Sequence, residues 1–117
     1  LNIQAMVYFS DHGESLDKYH NPDNFDFIMT HIPFWVYLSP TSRVAYPQTA
    51  NTLTHHEHQY FTNDLLYDTL VGIMHAPNPR YDASRDFSNP SYRFNLHNLT
   101  TLLGEQPLTN DLGNAGK

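Results

Sequence analysis

Two short apolar runs constrain this chain most: residues 3–9, IQAMVYF, and residues 31–38, HIPFWVYL. Each has the length of one strand, is enriched in β-branched and aromatic residues, and is bounded by polar residues. Neither alternates strictly between apolar and polar. Both therefore read as strands buried on two faces, with Trp35 and its aromatic neighbours in the core. That pattern belongs to a mostly parallel sheet in an α/β domain. Pro33 lacks a ladder donor and should lie near the strand start or on an edge. Ser39-Pro40 reads as a stop.

Roughly twenty mostly polar residues, 11–30, separate the two runs. That length allows a crossover, so a parallel pair is sterically possible. His20-Asn21-Pro22-Asp23-Asn24 is a loop signal rather than a helical one. The stretch reads as a long loop at the carboxyl end of the first strand, the edge where open α/β sheets bind ligands.

Residues 42–60 are polar, with little periodicity. Thr62 or Asn63 can then cap a helix, with Asp64 in its first turn. Leu65, Leu66, Thr69, Leu70 and Ile73 follow at helical spacing, and His75-Ala76-Pro77 ends the stripe. Residues 77–92 are turn-rich. Leu96, Leu99, Leu102 and Leu103 fit either a short helix or a β element. Residues 1–106 read as the folded portion and 107–117 as a flexible tail.

A net charge of −6 argues against a nucleic-acid partner, because phosphate backbones select clustered Lys and Arg. The absence of cysteine removes thiol catalysis, thiolate metal sites and disulfides from these residues. No apolar run is long enough to span a bilayer. The opening LNIQAMVYF reads as the interior of a longer protein, whose upstream part would carry any anchor or targeting signal.

The first strand runs directly into Ser10-Asp11-His12-Gly13-Glu14-Ser15. Neighbouring side chains on a strand point to opposite faces, so Asp11 and His12 converge only if the chain turns there. Gly13 permits such a turn or a close backbone approach. A carboxylate beside an imidazole suits Zn²⁺, or Mn²⁺ at a stretch, but two donors do not complete a site. Further donors within the chain are His20 and His31, with Glu14 as a ligand or an imidazole partner. The cluster His55, His56 and His58 lacks HExxH spacing, and His75 suits the negative end of a helix. Spacing alone leaves an ordinary Asx-type turn and a metal or acid–base role both open.

YFSDHGESL, residues 8–16, resembles the late metal-binding motif of the sulfatase-like branch of the alkaline phosphatase superfamily. The resemblance is greatest to membrane-anchored phosphoethanolamine transferases, with phosphoglycerol transferases and arylsulfatases as wider relatives. THIPFWVYLSP, residues 30–40, YFTNDLLYDTLVGIM, residues 60–74, and RYDASRDFSNP, residues 80–90, follow in the family's order. The resemblance implies the carboxyl-terminal portion of a catalytic domain with a mostly parallel sheet. It also implies that Asp11 and His12 are metal ligands, and that His20 contacts the phosphate or a second metal. The expected ion is Zn²⁺, with Mn²⁺ or Ca²⁺ as alternatives.

The implied activity is transfer of a phosphoethanolamine or related phospho group from a phospholipid to a lipopolysaccharide or glycan acceptor. A Thr nucleophile outside these residues would carry the group. A sulfatase or phosphodiesterase of the same superfamily is one alternative, and a domain that keeps the shape without the chemistry is another. The implied location is the periplasmic face of the bacterial inner membrane. On this reading the 117-residue chain alone is inactive and binds zinc weakly, and its exposed sheet edge leads it either to self-associate or to fold only partly.

Overall fold

Strand β1 (Ala5–Phe9) pairs with β2 (Phe34–Leu38) in an antiparallel ribbon, with Ala5 opposite Leu38, Val7 opposite Val36 and Phe9 opposite Phe34. The computed structural model describes residues 2–18 and 22–113. A second ribbon, also antiparallel, joins β3 (Thr100–Thr101) to β4 (Gln106–Pro107). The expected mostly parallel sheet is therefore corrected to an α/β domain with two small antiparallel sheets. The cause lies in the intervening loop. A parallel pair needs a crossover that carries the chain to the far end of the sheet, usually a packed helix. Here Pro22–Asn24 and Phe27–Thr30 form only single 3₁₀ turns. The Gly13 N–H donates to the Met29 carbonyl at 2.6 Å, so the loop returns to the end it left.

The ribbon is buried on one face. Ala5, Val7, Phe34 and Val36 are partly covered and Leu38 is buried. On the opposite face Met6, Tyr8, Trp35 and Tyr37 are exposed. Trp35, expected in the core, is 45% exposed and stacks on Tyr8 with ring centroids 5.4 Å apart. A two-stranded antiparallel ribbon covered on one side has this alternation, whereas an interior parallel strand does not.

Ser39-Pro40 starts a helix rather than stopping the chain. The Ser39 side chain accepts from the Ser42 N–H and Pro40 opens α1 (Pro40–Ala45), a cap followed by proline at the first helical position. Pro47 likewise opens α2 (Pro47–His56). These capping signals outweigh the weak apolar periodicity of the segment.

The stripe after Thr62 forms a 3₁₀ turn, Asn63–Leu65, leading into α3 (Leu66–Ile73). Leu65, Thr69, Val71 and Ile73 are buried. The helix ends where His75 takes a positive φ of 53°. The His75 N–H then reaches the Gly72 carbonyl and the Ala76 N–H reaches that of Val71, closing a Schellman cap. Leu65, Leu99 and Leu108 form the central cluster, flanked by Phe61, Tyr92, Phe94 and Leu96. Phe34 stacks on Phe61 at 4.3 Å and ties the first ribbon to that cluster.

A polar network fixes α3 to the segment after it. Thr69 Oγ1 accepts the Phe87 N–H, and Asp68 Oδ1 accepts the Asp82 N–H. Asp86, 1% exposed, accepts from the Tyr81 hydroxyl and from the N–H and hydroxyl of Ser88. Burial pushes the Asp86 carboxyl above its ordinary range, against the pull of these hydrogen bonds.

Candidate functional site

A cleft of about 580 Å³ opens where β1 ends and β2 begins. Its wall includes Asp11 and His12 after β1, His31 before β2, Asn63 before α3, and Asp111. Phe25, Phe34, Tyr60 and Phe61 supply aromatic surface. The antiparallel pairing makes this grouping possible. A parallel pair would have placed His31 at the opposite end of the sheet from Asp11 and His12.

The SDHG segment is held by short-range hydrogen bonds and by one distant residue. Asp11 Oδ1 accepts the His12 N–H at 3.1 Å, and the Ser10 hydroxyl donates to the His12 carbonyl at 2.7 Å. His12 Nδ1 lies 2.7 Å from the Gly13 carbonyl, which makes Nδ1 the protonated nitrogen of that pair. Nε2 of the same ring is 3.9 Å from Asp11 Oδ2. The Asn63 side chain donates to the Ser10 and Asp11 carbonyls at 3.0 and 3.1 Å. Sequence reasoning cast Asn63 as a helix cap; its side chain instead anchors the end of β1. Gly13 is required by proximity. A Cβ there would lie 2.6 Å from the carbonyl oxygens of Ile28 and His31.

The expected metal centre is corrected. Asp11 and His12 are adjacent, yet among the described residues no group of three or more His, Asp or Glu is placed to hold an ion. A zinc site takes three or four protein donors, so the described residues do not by themselves fit Zn²⁺, Mn²⁺ or Ca²⁺ as a resident ion. Asp11 has an 87% exposed side chain. His20 lies outside the described residues. Glu14 is exposed. Among the described residues no helix is long and apolar enough to cross a bilayer.

The remaining histidines play other parts. His56 is buried with Nδ1 2.8 Å from the Phe87 carbonyl, so it belongs to the core. His58 pairs with Glu57 at 3.3 Å on the surface. His75 stacks on Tyr46 at 3.5 Å. In the loop, Asp26 caps the Phe27–Thr30 turn and pairs with Lys18 at 3.3 Å. The Ile28 N–H, and then Lys18, hold its carboxyl below the usual range.

His31 has a close side-chain partner. Its Nε2 lies 2.6 Å from Asp111 Oδ2, across a sequence separation of 80 residues. Asp111 falls in the stretch expected to be a flexible tail, where Leu108 is buried in the central cluster and a 3₁₀ segment spans Leu108–Gly113. No local pattern signals the pair. Asp111 Oδ1 and Asn63 Oδ1 are buried without a hydrogen-bond partner, and both residues line the cleft. Buried acceptors of this kind are normally satisfied, so the wall offers two oxygens to the N–H or O–H groups of a ligand or water. Compared with known proteins, the chain matches no family model, no curated protein and no solved structure.

Proposed function

We propose that this chain is the carboxyl-terminal part of a sulfatase-like catalytic domain. In this reading the domain moves a phosphoethanolamine-type group from a phospholipid to a lipopolysaccharide or glycan hydroxyl. The attacking Thr comes from outside residues 1–117. The observation that carries the reading is the meeting of SDHGES and THIP in one cleft. Both stretches belong to the resemblance, and they supply Asp11, His12 and His31 to the same wall.

That wall supports acid–base chemistry and suits the ammonium end of such a group. His12, its ring fixed by the Gly13 carbonyl, places an imidazole at the wall, the residue type most used to move protons in group transfer. The orphaned oxygens of Asn63 and Asp111 suit the N–H donors of an ammonium head. The exposed face of Met6, Tyr8, Trp35 and Tyr37 suits burial under further chain in a larger domain.

The test is a transfer assay on the protein that carries this chain, with a labelled phosphoethanolamine lipid as donor. His12→Ala should lower transfer by a hundredfold or more, on the order of a lost acid–base group, and Asp11→Ala, which removes the acceptor of the His12 N–H, should lower it less. Undiminished transfer by both variants would refute the assignment.

A further inference from the structure

We propose that His31 is the general base that deprotonates the hydroxyl of the acceptor, and that Asp111 is its positioning residue. The inference rests on the phospho-transfer reading of the same cleft and adds the group that activates the acceptor.

An ionised carboxylate can only accept hydrogen bonds, so the 2.6 Å contact with Asp111 Oδ2 requires the proton on His31 Nε2. In the neutral ring this leaves the lone pair on Nδ1. A histidine held in one tautomer by a carboxylate is preorganised as a base, because the carboxylate also stabilises the imidazolium that forms. Both partners are fixed from the backbone. The His31 N–H closes the Phe27–Thr30 turn on the Ile28 carbonyl, and Asp111 follows Leu108 in the core. The Asp111 side chain is 14% exposed and the His31 ring 50% exposed, so the acid is sheltered and the ring reaches the cleft.

The step balances without a co-reactant. The acceptor O–H gives its proton to His31 Nδ1 as its oxygen forms a bond to phosphorus. The bond from phosphorus to the Thr oxygen breaks, and that oxygen is reprotonated from water. His31 returns its proton to solvent, to which the ring is half open. Among the described residues, Asp111 bonds to the ring and Asp26, itself paired with Lys18, lies near enough to His31 to feel its charge. Asp11, His12 and Glu57 complete the ionisable wall of the cleft, with the Tyr60 phenol beside them.

Two measurements test the dyad. Imidazole ¹⁵N shifts of the 117-residue chain should show His31 held as the Nε2–H tautomer at neutral pH, and Asp111→Asn should relax it toward a mixture. An ordinary tautomer mixture in the unmutated chain would overturn the proposal. In the enzyme that carries the chain, His31→Gln should accumulate the phospho-Thr intermediate while onward transfer drops about 10²–10⁴-fold. Asp111→Asn should lower kcat for that half-reaction with little change in acceptor KM. Undiminished onward transfer in His31→Gln would overturn the base role alone. Absence of any phospho-Thr in the unmutated enzyme would instead overturn the transfer reading beneath it.

Discussion

Gly72 and Asp86 occupy one space: a Cβ on Gly72 would fall 1.8 Å from Asp86 Oδ2. Asp86 cannot retreat cheaply, because Tyr81 and Ser88 both donate to its carboxylate and it is 1% exposed. Gly72→Ala should therefore destabilise the fold by about 3 kcal/mol, the upper end for overpacking a filled interior. Urea unfolding measures this. A loss under about 0.5 kcal/mol, the size of an ordinary surface change, would show that the contact relaxes freely.

Alkaline pH should weaken the same region. Tyr81 is pushed from 10.0 up to about 12, first by burial and then by its bond to Asp86. Between those values the folded state keeps a proton that the unfolded state has released. Stability is unaffected below the lower value and falls as pH rises through the window. Urea midpoints across that range should decline, and Tyr81→Phe should flatten part of the decline. Burial raises Tyr92 as well, so the flattening is incomplete. An unchanged pH profile in Tyr81→Phe would contradict the coupling.

Asn63 should matter more to the site than to the fold. Asn63→Ala removes two donors from the Ser10 and Asp11 carbonyls. The stability loss should be about 1 kcal/mol, since part-exposed hydrogen bonds contribute little net. Amide exchange at His12 and Gly13 should quicken while exchange in α3 stays unchanged. Uniform quickening would mean that Asn63 supports the whole domain instead.

Leu103 sits at φ 55° in the turn between β3 and β4 and is a fully exposed residue. A left-handed backbone costs an L side chain about 1 kcal/mol, and no packing offsets it here. Leu103→Gly should therefore hold or raise stability, by up to about 1 kcal/mol. A clear loss would mean that the leucine packs in solution.

The elements with strong local patterns were legible in the sequence, and those defined by distant partners were not. β1, β2 and the stripe of α3 follow from apolar spacing. The direction of the β1–β2 pair does not, because a long polar loop is compatible with either sense until Gly13 is seen bonded to Met29. Ser39-Pro40 carried the correct signal for α1, since a serine before proline caps a helix as readily as it ends a strand. Asp11, His12 and His31 were legible as candidate chemistry. That His31 belongs with Asp111 was not, because nothing local links residues 80 positions apart.

The most direct test of the central claim is a titration of the isotope-labelled 117-residue chain with phosphoethanolamine, followed by amide and imidazole shifts. The account expects saturable changes confined to Asp11, His12, His31, Asn63 and Asp111, and weaker changes with inorganic phosphate, which lacks the ammonium. No saturable change, or changes centred elsewhere than this cleft, would contradict it.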